Sequence, residues 1–372
     1  MSEYGLVPGV ERIAVLRGGA IGDFIFSLPA LDAMRAAYPH AEIVVLGRTF
    51  TADLVEGRAG PIDRFVRLPE LTWLGGRGEA DDSVAEARSL AELRSEQFDI
   101  AIQIHGGGRH SNPFVASLGA RVTAGLRTRD AATLDRTIPY EYYQPEVMRD
   151  LEVVGLVGAP PVSIEPRYRG VRARDRKAAL DLLPPRADPL VVIHPSASDP
   201  RRRWPAESFA AVGDSVARRG ATVVVVGTDS ERQVVAEVVG SMRAPAVDLC
   251  GRLDLPTLVG LLSEADLIVG NDSGPLHLGA AVGAATVGIF WCGNLITAGP
   301  FTRRKHRAVL SWRLTCPICG VDCTKSTCDH RVSFVADARV EAVIESSLDL
   351  LDHRAAPPSA LPPAAVPELA VS

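Results

Sequence analysis

The residues best suited to chemistry cluster at breaks between apolar runs. One such break is Gly270-Asn-Asp-Ser-Gly-Pro-Leu-His277, which follows the short apolar run Leu267–Val269 and resumes as a small-residue helix expected from Leu276 to Val282. Asp272 or Ser273 is placed to cap that helix, and Pro275 suits its first turn. The terminus then offers free N–H groups and a helix dipole to an anion such as phosphate, although an ordinary capped strand–turn–helix connection has the same spacing. A second break is Arg17-Gly-Gly-Ala-Ile-Gly-Asp23, after the strand expected over Arg12–Leu16. Asp23 enters a helix expected over Phe24–Ala37, at the carboxyl end of the first strand, where open α/β sheets bind ligands. Its simplest role is N-cap of that helix; its chemical role is that of a base for a substrate hydroxyl brought to it.

A third turn, His105-Gly-Gly-Gly-Arg-His-Ser-Asn-Pro113, offers Gln103, His105, Arg109 and Asn112 to the acceptor side of a cleft, with Gly22 on the turn before Asp23. Each of these polar residues alone is equally compatible with a solvated loop. Cys316, Cys319, Cys323 and Cys328 crowd together near the end, with His330 two positions further on. Such a cluster in a cytosolic chain is seldom a disulfide set, and Cys-x-x-Cys supplies half of a typical zinc site. Structural zinc, free or redox-active thiols and an iron–sulfur cluster all remain open, since the spacing from Cys323 to Cys328 is irregular. Cys250 and Cys292 are isolated and read as small buried residues.

The elements that must position these groups alternate between short apolar strands and helices, which predicts an α/β chain with doubly wound parallel sheets. In the first half, strands are expected at Arg12–Leu16, Ala41–Leu46, Asp63–Leu68, Phe98–Ile104 and Arg121–Gly125, and helices at Phe24–Ala37, Ser83–Glu96 and Glu141–Val157. Gly75–Asp82 reads as a mobile loop. Gly18-Gly-Ala-Ile-Gly22 has the wrong spacing for a dinucleotide fingerprint, and Gly47-Arg48 stands where an acidic residue would close the second strand. A nicotinamide site is therefore disfavoured.

The Pro-, Arg- and Ala-rich stretch Gly158–Pro189 separates this half from a second one. There, strands at Leu190–Ile193, Ala221–Val226, Val247–Leu249, Leu267–Val269 and Ala285–Phe290 alternate with helices at Ala206–Arg219, after the turn Gly227–Arg232 to about Gly240, and at Leu255–Ser263, with a last helix at Ala338–Leu351. The expected units are residues 1–170, 186–354 and an Ala/Pro-rich, disordered tail, 355–372. Three loops of the second half, Ser196–Arg203, Thr228–Glu231 and Asn271–His277, converge on one sheet edge. Together they supply hydroxyls, cations, a carboxylate and a helix terminus, a set that suits a nucleoside diphosphate.

Composition narrows the rest. The chain has 372 residues, a net charge of −5 and 5% aromatics, so it has neither the basic footprint nor the stacking surface of a nucleic-acid binder. No apolar run approaches the roughly 20 residues of a membrane span. Met1-Ser2-Glu3-Tyr4 does not begin a secretory signal, so a cytoplasmic, soluble chain is expected.

Three motifs carry a resemblance. Arg17-Gly-Gly-Ala-Ile-Gly-Asp-Phe-Ile-Phe-Ser-Leu-Pro29, His194-Pro-Ser through Arg202-Arg-Trp-Pro205, and Gly270 to His277 stand in the order and spacing of the ADP-heptose:lipopolysaccharide heptosyltransferase family, glycosyltransferase family 9. The similarity covers about residues 10–345. It implies a GT-B fold, two facing Rossmann-like domains with the acceptor bound by the first and the sugar nucleotide by the second. It further implies an inverting transfer that needs no metal, from a nucleoside-diphosphate sugar (ADP-heptose favoured) to a glycan or glycolipid acceptor, with peripheral membrane association open. By the same resemblance Asp23 is the general base, Ser196, Arg202, Ser273 and Gly274 hold the diphosphate, Glu231 meets the ribose, and Asp272 and His277 belong to the same loop. One departure is Arg202, where many heptosyltransferases carry Lys two residues before the Trp; Arg keeps the charge and adds bidentate contacts. Competing readings are a sugar-nucleotide 2-epimerase of the same fold and a catalytically silent nucleotide-sugar-binding protein.

Overall fold

The computed structural model describes residues 4–75, 83–185 and 189–353. The loop expected over Gly75–Asp82 lies outside these residues except for Gly75, and so does the tail from Ala355. In the first half, β1 (Arg12–Arg17), β2 (Glu42–Gly47), β3 (Arg64–Arg67), β4 (Ile100–Gln103), β5 (Val122–Arg127) and β6 (Arg136–Pro139) form one sheet in the order 3-2-1-4-5-6. In the second, β7 (Leu190–His194), β8 (Thr222–Val225), β9 (Val247–Asp248), β10 (Leu267–Asn271), β11 (Ala285–Trp291) and β12 (His306–Ser311) form another in the order 12-11-10-7-8-9. Counted from the first strand of each half, the order is the same. All pairings are parallel, with Val15 opposite both Val45 and Ile102, and Val269 opposite both Ile193 and Val287. The crossover from third to fourth strand leaves a switch point between β1 and β4 and between β7 and β10, and ligands of such sheets bind there.

The helices are α1 (Ile21–Ala37), α2 (Phe50–Val55), α3 (Ser83–Arg94), α4 (Ser111–Ser117), α5 (Glu146–Gly155) and α6 (Ala173–Leu180). They continue as α7 (Ala206–Ala217), α8 (Arg232–Ser241), α9 (Leu255–Glu264), α10 (Gly274–Val282), α11 (Cys292–Ala298) and α12 (Val340–His353). Strands such as Ile13-Ala-Val-Leu16 and Leu190-Val-Val-Ile193 are apolar throughout because helices cover both faces, and all eight of these residues are buried. α1 is apolar on nearly every side for a related reason. It lies between the first sheet and α10 of the second half, so Phe24, Ile25, Leu28, Leu31 and Met34 are all buried.

One apolar cluster therefore runs through both halves, from Ile13, Val15 and Met34 to Leu190, Ile268, Leu276 and Leu278. A buried ion pair supports the junction: the Arg58 guanidinium bonds to Asp175 at the start of α6 and to the Gly170 carbonyl at 2.7 Å. α6 in turn packs against α9 at Gly260, where a side chain would collide with the Asp175 backbone.

Most expected elements are present, with corrections. α1 begins at Ile21, three residues before its expected start. The helix expected over Glu141–Val157 starts only at Glu146, because Pro145 stands at its N-cap. The segments α2, α4, α6, α11, β6 and β12 were not anticipated, α6 lying inside the stretch read as a boundary.

Candidate active site

The earlier start of α1 changes what Asp23 does. Ala20 occupies the N-cap position, and Asp23, in the first turn, folds back so that its Oδ2 accepts the Ala20 N–H at 2.6 Å. Asp23 is therefore the returning half of a capping box rather than the N-cap. Gly19 makes this possible: its φ is +89°, and a Cβ there would stand 2.5 Å from Asp23 Oδ2. The carboxylate remains 40% exposed, with Oδ1 turned towards Arg17 Nη2 at 3.7 Å.

Arg17 is a site residue that sequence reasoning passed over. It ends β1, is only 4% exposed, and sits among three carboxylates: Asp23 at 3.7 Å, Glu146 at 3.6 Å and Asp150 at 3.9 Å. Its Nε donates to the Asp23 carbonyl at 2.9 Å and its Nη1 to the Ile104 carbonyl, while Nη2 makes no hydrogen bond. Asp150 on α5 is fully buried and neither of its oxygens is hydrogen-bonded. Burial pushes its carboxyl up to about 8, against the pull of Arg17. Burial thus favours the protonated form of Asp150 beside the Arg17 cation, with the more exposed Asp23 also within that guanidinium's reach. The only sequence signal for this group was the basic residue at the end of the first strand, and α5 lies far away along the chain.

Of the residues offered for the acceptor side, the structure keeps some and withdraws others. Gln103 is buried and spent on the sheet, its Nε2 donating to the Leu126 carbonyl at 2.8 Å and its Oε1 accepting the His105 N–H at 2.8 Å. Asn112 is likewise buried on α4, donating to the Leu126 and Ala132 carbonyls. Gln103 reads as scaffold rather than cleft lining, because both ends of its amide are committed to the backbone; Asn112 is anchored through Nδ2 while its buried Oδ1 has no partner. Arg109 is exposed and 3.7 Å from Asp130. His105 stays near the Arg17–Asp23 group, with Nε2 2.9 Å from the Trp73 carbonyl and its pKa lowered by burial.

Gly22 lies at the meeting of the two halves. A Cβ on it would stand 3.2 Å from His277 Cδ2, and a Cβ on Gly274 would stand 2.9 Å from the Ile21 Cβ. The N-termini of α1 and α10 therefore cross at glycines, which brings Ile21 and Gly22, just before Asp23, against Gly274 of the second half.

On that second side the polar groups form a linked network. Ser273 stands at the N-cap position of α10, but its Oγ lies 3.1 Å from His194 Nδ1 instead of capping, and no side chain caps the helix. The expectation that Asp272 or Ser273 caps α10 fails. The unanchored first turn is the better anion site for that reason. Asp272 is buried and bridges Arg202 Nη1 at 3.0 Å and His277 Nε2 at 2.8 Å. Burial raises its carboxyl, but His277 and Arg202 outweigh burial and hold it below the usual range. The His277 ring packs on Phe26 of α1, with centroids 4.6 Å apart.

Within Arg201–Arg203, Arg201 is taken by Asp199 and Arg203 by the Ala197 carbonyl. Arg202 alone turns to Asp272, with its other nitrogen on Ser198 Oγ at 3.0 Å. Glu231 accepts the Thr228 N–H at 2.8 Å and lies 3.6 Å from His194 Nε2. Burial works against its charge, but His194 and the Thr228 N–H hold its carboxyl far below the normal value. His194, a second residue the sequence reading did not assign, therefore ties Ser273 to Glu231. Ser196 is fully buried beside Glu231, and its hydroxyl makes no hydrogen bond. A cavity of about 590 Å³ lies behind this network, between Phe26, Tyr168, His277, Phe290 and Arg304, and does not reach Asp23.

This pairing of a carboxylate with an uncapped helix terminus across two like sheets can be set beside known proteins. The profile described as glycosyltransferase family 9 (heptosyltransferase) matches residues 87–324, well over half of the chain. The chain belongs to glycosyltransferase family 9. It is 23% identical over 303 residues to the lipopolysaccharide core heptosyltransferase OpsX of Haemophilus influenzae, covering 78% of this chain and 82% of that protein. To lipopolysaccharide heptosyltransferase 3 of Escherichia coli it is 24% identical over 305 residues, covering 74% and 85%. Among solved structures, it matches the ADP-heptose lipopolysaccharide heptosyltransferase II of E. coli with a TM-score of 0.72 at 18% identity, covering 93% of this chain and all of that one. A glycosyltransferase family 9 member from Veillonella parvula matches with a TM-score of 0.74 at 21% identity, covering 92% and 97%. The fold is thus GT-B, and this family 9 protein is a glycosyltransferase.

The late cysteines form a group of their own, close to Arg201, and the Cys250 thiol donates to the Thr228 carbonyl at 3.1 Å. Cys316, Cys319, Cys328 and His330 bring one ligand atom each to within 4.8 Å of one another. Cys323 is not in this group; its thiol donates to the Val321 carbonyl at 3.5 Å. Among the described residues, no helix is long and apolar enough to cross a membrane.

Proposed function

We propose that this glycosyltransferase moves heptose from ADP-heptose to a glycan or glycolipid acceptor, with inversion at the anomeric carbon and no metal in the chemical step. The observation that carries this reading is the crossing of α1 and α10 at Gly22 and Gly274, with a half-exposed carboxylate one residue after Gly22 and an α10 terminus that no side chain caps. Asp23 acts as general base, removing the acceptor hydroxyl proton as the oxygen attacks the anomeric carbon. Charge then grows on the leaving diphosphate. The first turn of α10 at Ser273 and Gly274, the Ser196 hydroxyl and Arg202 stabilise it without a divalent cation. Asp272 and His277 orient Arg202 and the loop, and Glu231 with His194 faces the ribose side. Gly22 and His105 border the acceptor. The first half serves the acceptor and the second the donor, on the cytoplasmic side of a membrane whose lipid-linked glycan the enzyme meets without spanning it.

The test is to incubate the protein with ADP-heptose, with and without a lipopolysaccharide-core acceptor in chelator, and follow ADP release and product anomer by NMR. Acceptor-dependent, chelator-resistant formation of the inverted product supports the reading. Consumption of the donor without acceptor points to epimerase chemistry instead, and ADP-heptose binding with no turnover points to a binding protein.

A further inference from the structure

We propose that Cys316, Cys319, Cys328 and His330 form a site for one tetrahedral structural metal ion, zinc by ligand type, which braces the loop carrying Arg202. The ligand atoms come from either side of a small hairpin. Thr315 pairs with Asp322, Gly320 N–H returns to the Cys316 carbonyl at 2.9 Å, and Gly320 adopts a φ of +72°. That tight turn places Cys316 and Cys319 side by side. The chain then runs on to Cys328 and His330, whose ligand atoms fall in the same group.

Ligands about 2.0–2.3 Å from a shared zinc ion lie roughly 3.5–4 Å apart, so a set already within 4.8 Å closes by small rotamer changes. The His330 Nδ1 atom is buried with no hydrogen-bond partner, a cost that a metal bond or a donor to the ligand shell would remove. Three thiolates and an imidazole select a borderline-soft ion with no need of an open position. With all four ligands supplied by the chain, no site is left for substrate.

The role follows from what comes next along the chain. Ser333 Oγ donates to the Arg203 carbonyl at 2.6 Å, and the Phe334 N–H donates to the Arg201 carbonyl at 2.7 Å. These two bonds flank Arg202. On the other side of the hairpin, Tyr143 of the first half donates to the Thr324 carbonyl at 3.0 Å. The segment from 312 to 335 carries little regular structure and leaves Trp312, Leu314 and Ile318 exposed, so packing alone does little to hold it. A metal at Cys328 and His330 fixes the chain just before Ser333 and Phe334, and through them the backbone on either side of Arg202.

The ligand set stands independently of the proposed donor site; the effect on nucleotide binding rests on it. The full-length protein, purified without a metal-affinity tag, should carry about one equivalent of zinc by mass spectrometry of its metal content. Cys316→Ser, Cys319→Ser, Cys328→Ser and His330→Ala should each lose most of it, and Cys323→Ser should keep it. Loss in Cys323→Ser with retention in His330→Ala would overturn the ligand set, as would iron at full occupancy overturn zinc. A metal-free parent whose thiols are paired as disulfides would overturn the site altogether.

Stripping the metal should speed amide exchange at residues 201–204 and weaken ADP binding roughly tenfold, the loss of one charge-assisted hydrogen bond. Unchanged exchange at 201–204 overturns the brace whatever ADP does. If ADP fails to bind even the metal-loaded protein while exchange still responds, the donor reading fails and the brace stands.

Discussion

At the carboxyl edge of the first sheet, Asp23 stands half exposed above a buried cation and a buried, unbonded carboxyl. At the same edge of the second sheet, Asp272, Glu231, His194, His277 and Arg202 are nearly all paired with one another. The strand order is the same in both halves, so the sheets do not cause this difference; the loops they carry do. The first edge leaves the Asp23 carboxylate 40% exposed, held by the Ala20 N–H and near Arg17. The second fixes a set of charges in advance, as suits a group that must stabilise a leaving anion without moving. One fold offers an open rim and a pre-organised rim.

The comparison is most easily broken at Asp23. Asp23→Asn keeps the shape and an acceptor for the Ala20 N–H, and should lower turnover by on the order of 10²–10⁴ while leaving the ADP dissociation constant nearly unchanged. Equal losses in both would make Asp23 part of the donor scaffold. On the opposite rim, Arg202→Ala removes a cation and leaves the buried Asp272 with His277 alone. It should weaken ADP by about 10–100-fold in calorimetry and lower thermal stability, by less than the about 3–5 kcal/mol of a fully buried broken pair, since His277 remains. An unaffected ADP affinity would remove Arg202 from the diphosphate site.

The crossing itself can be tested by two matched changes. Gly274→Ala sets a Cβ 2.9 Å from the Ile21 Cβ on rigid backbone, and should cost about 1–3 kcal/mol in denaturant unfolding. Gly22→Ala meets only the edge of the His277 ring at 3.2 Å and should cost less. The reverse ranking would show that the ring, not the helix backbone, sets the spacing.

The smallest expected effect is a difference in pH slope. The Asp150 carboxyl, near 3.9 in an unfolded chain, is pushed up to about 8 by burial. Between those values the folded protein keeps a proton that the unfolded chain has lost, so this group's contribution to stability falls as pH rises. Asp272 and Glu231 are held low, so their contribution is present above about pH 4 and is lost as pH falls below it. Asp150→Asn should therefore flatten the loss of melting temperature between about pH 5 and 8. If the slope is unchanged, Asp150 is not protonated in the folded state.

Much of this arrangement was legible in the sequence, and the exceptions share a cause. Apolar strands and the Gly-Asp and Asp-Ser-Gly turns are local signals, so both halves and the α1 and α10 termini could be read from them. His306–Ser311 was missed as a strand because its run, His-Arg-Ala-Val-Leu-Ser, lacks the unbroken apolar character of the inner strands. It lies at the sheet edge, where only one neighbour covers it. Gln103 and Asn112 looked available because their partners, the carbonyls of Leu126 and Ala132, come from a later part of the chain. Arg17, Asp150 and His194 were overlooked for the same reason: each acquires its meaning from a partner far away in sequence. Cys323 was chosen over His330 because spacing favours cysteines, whereas the hairpin decides which side chains meet.

The glycine crossing of α1 and α10 also bears on how the enzyme could open. If the two halves swing about that contact, atoms near it travel little and atoms at the outer rims travel far, as on a lever about its fulcrum. Asp23 and Ser273 lie close to the pivot. Wide gaping of the cleft would then disturb these two residues less than any other part of the mouth.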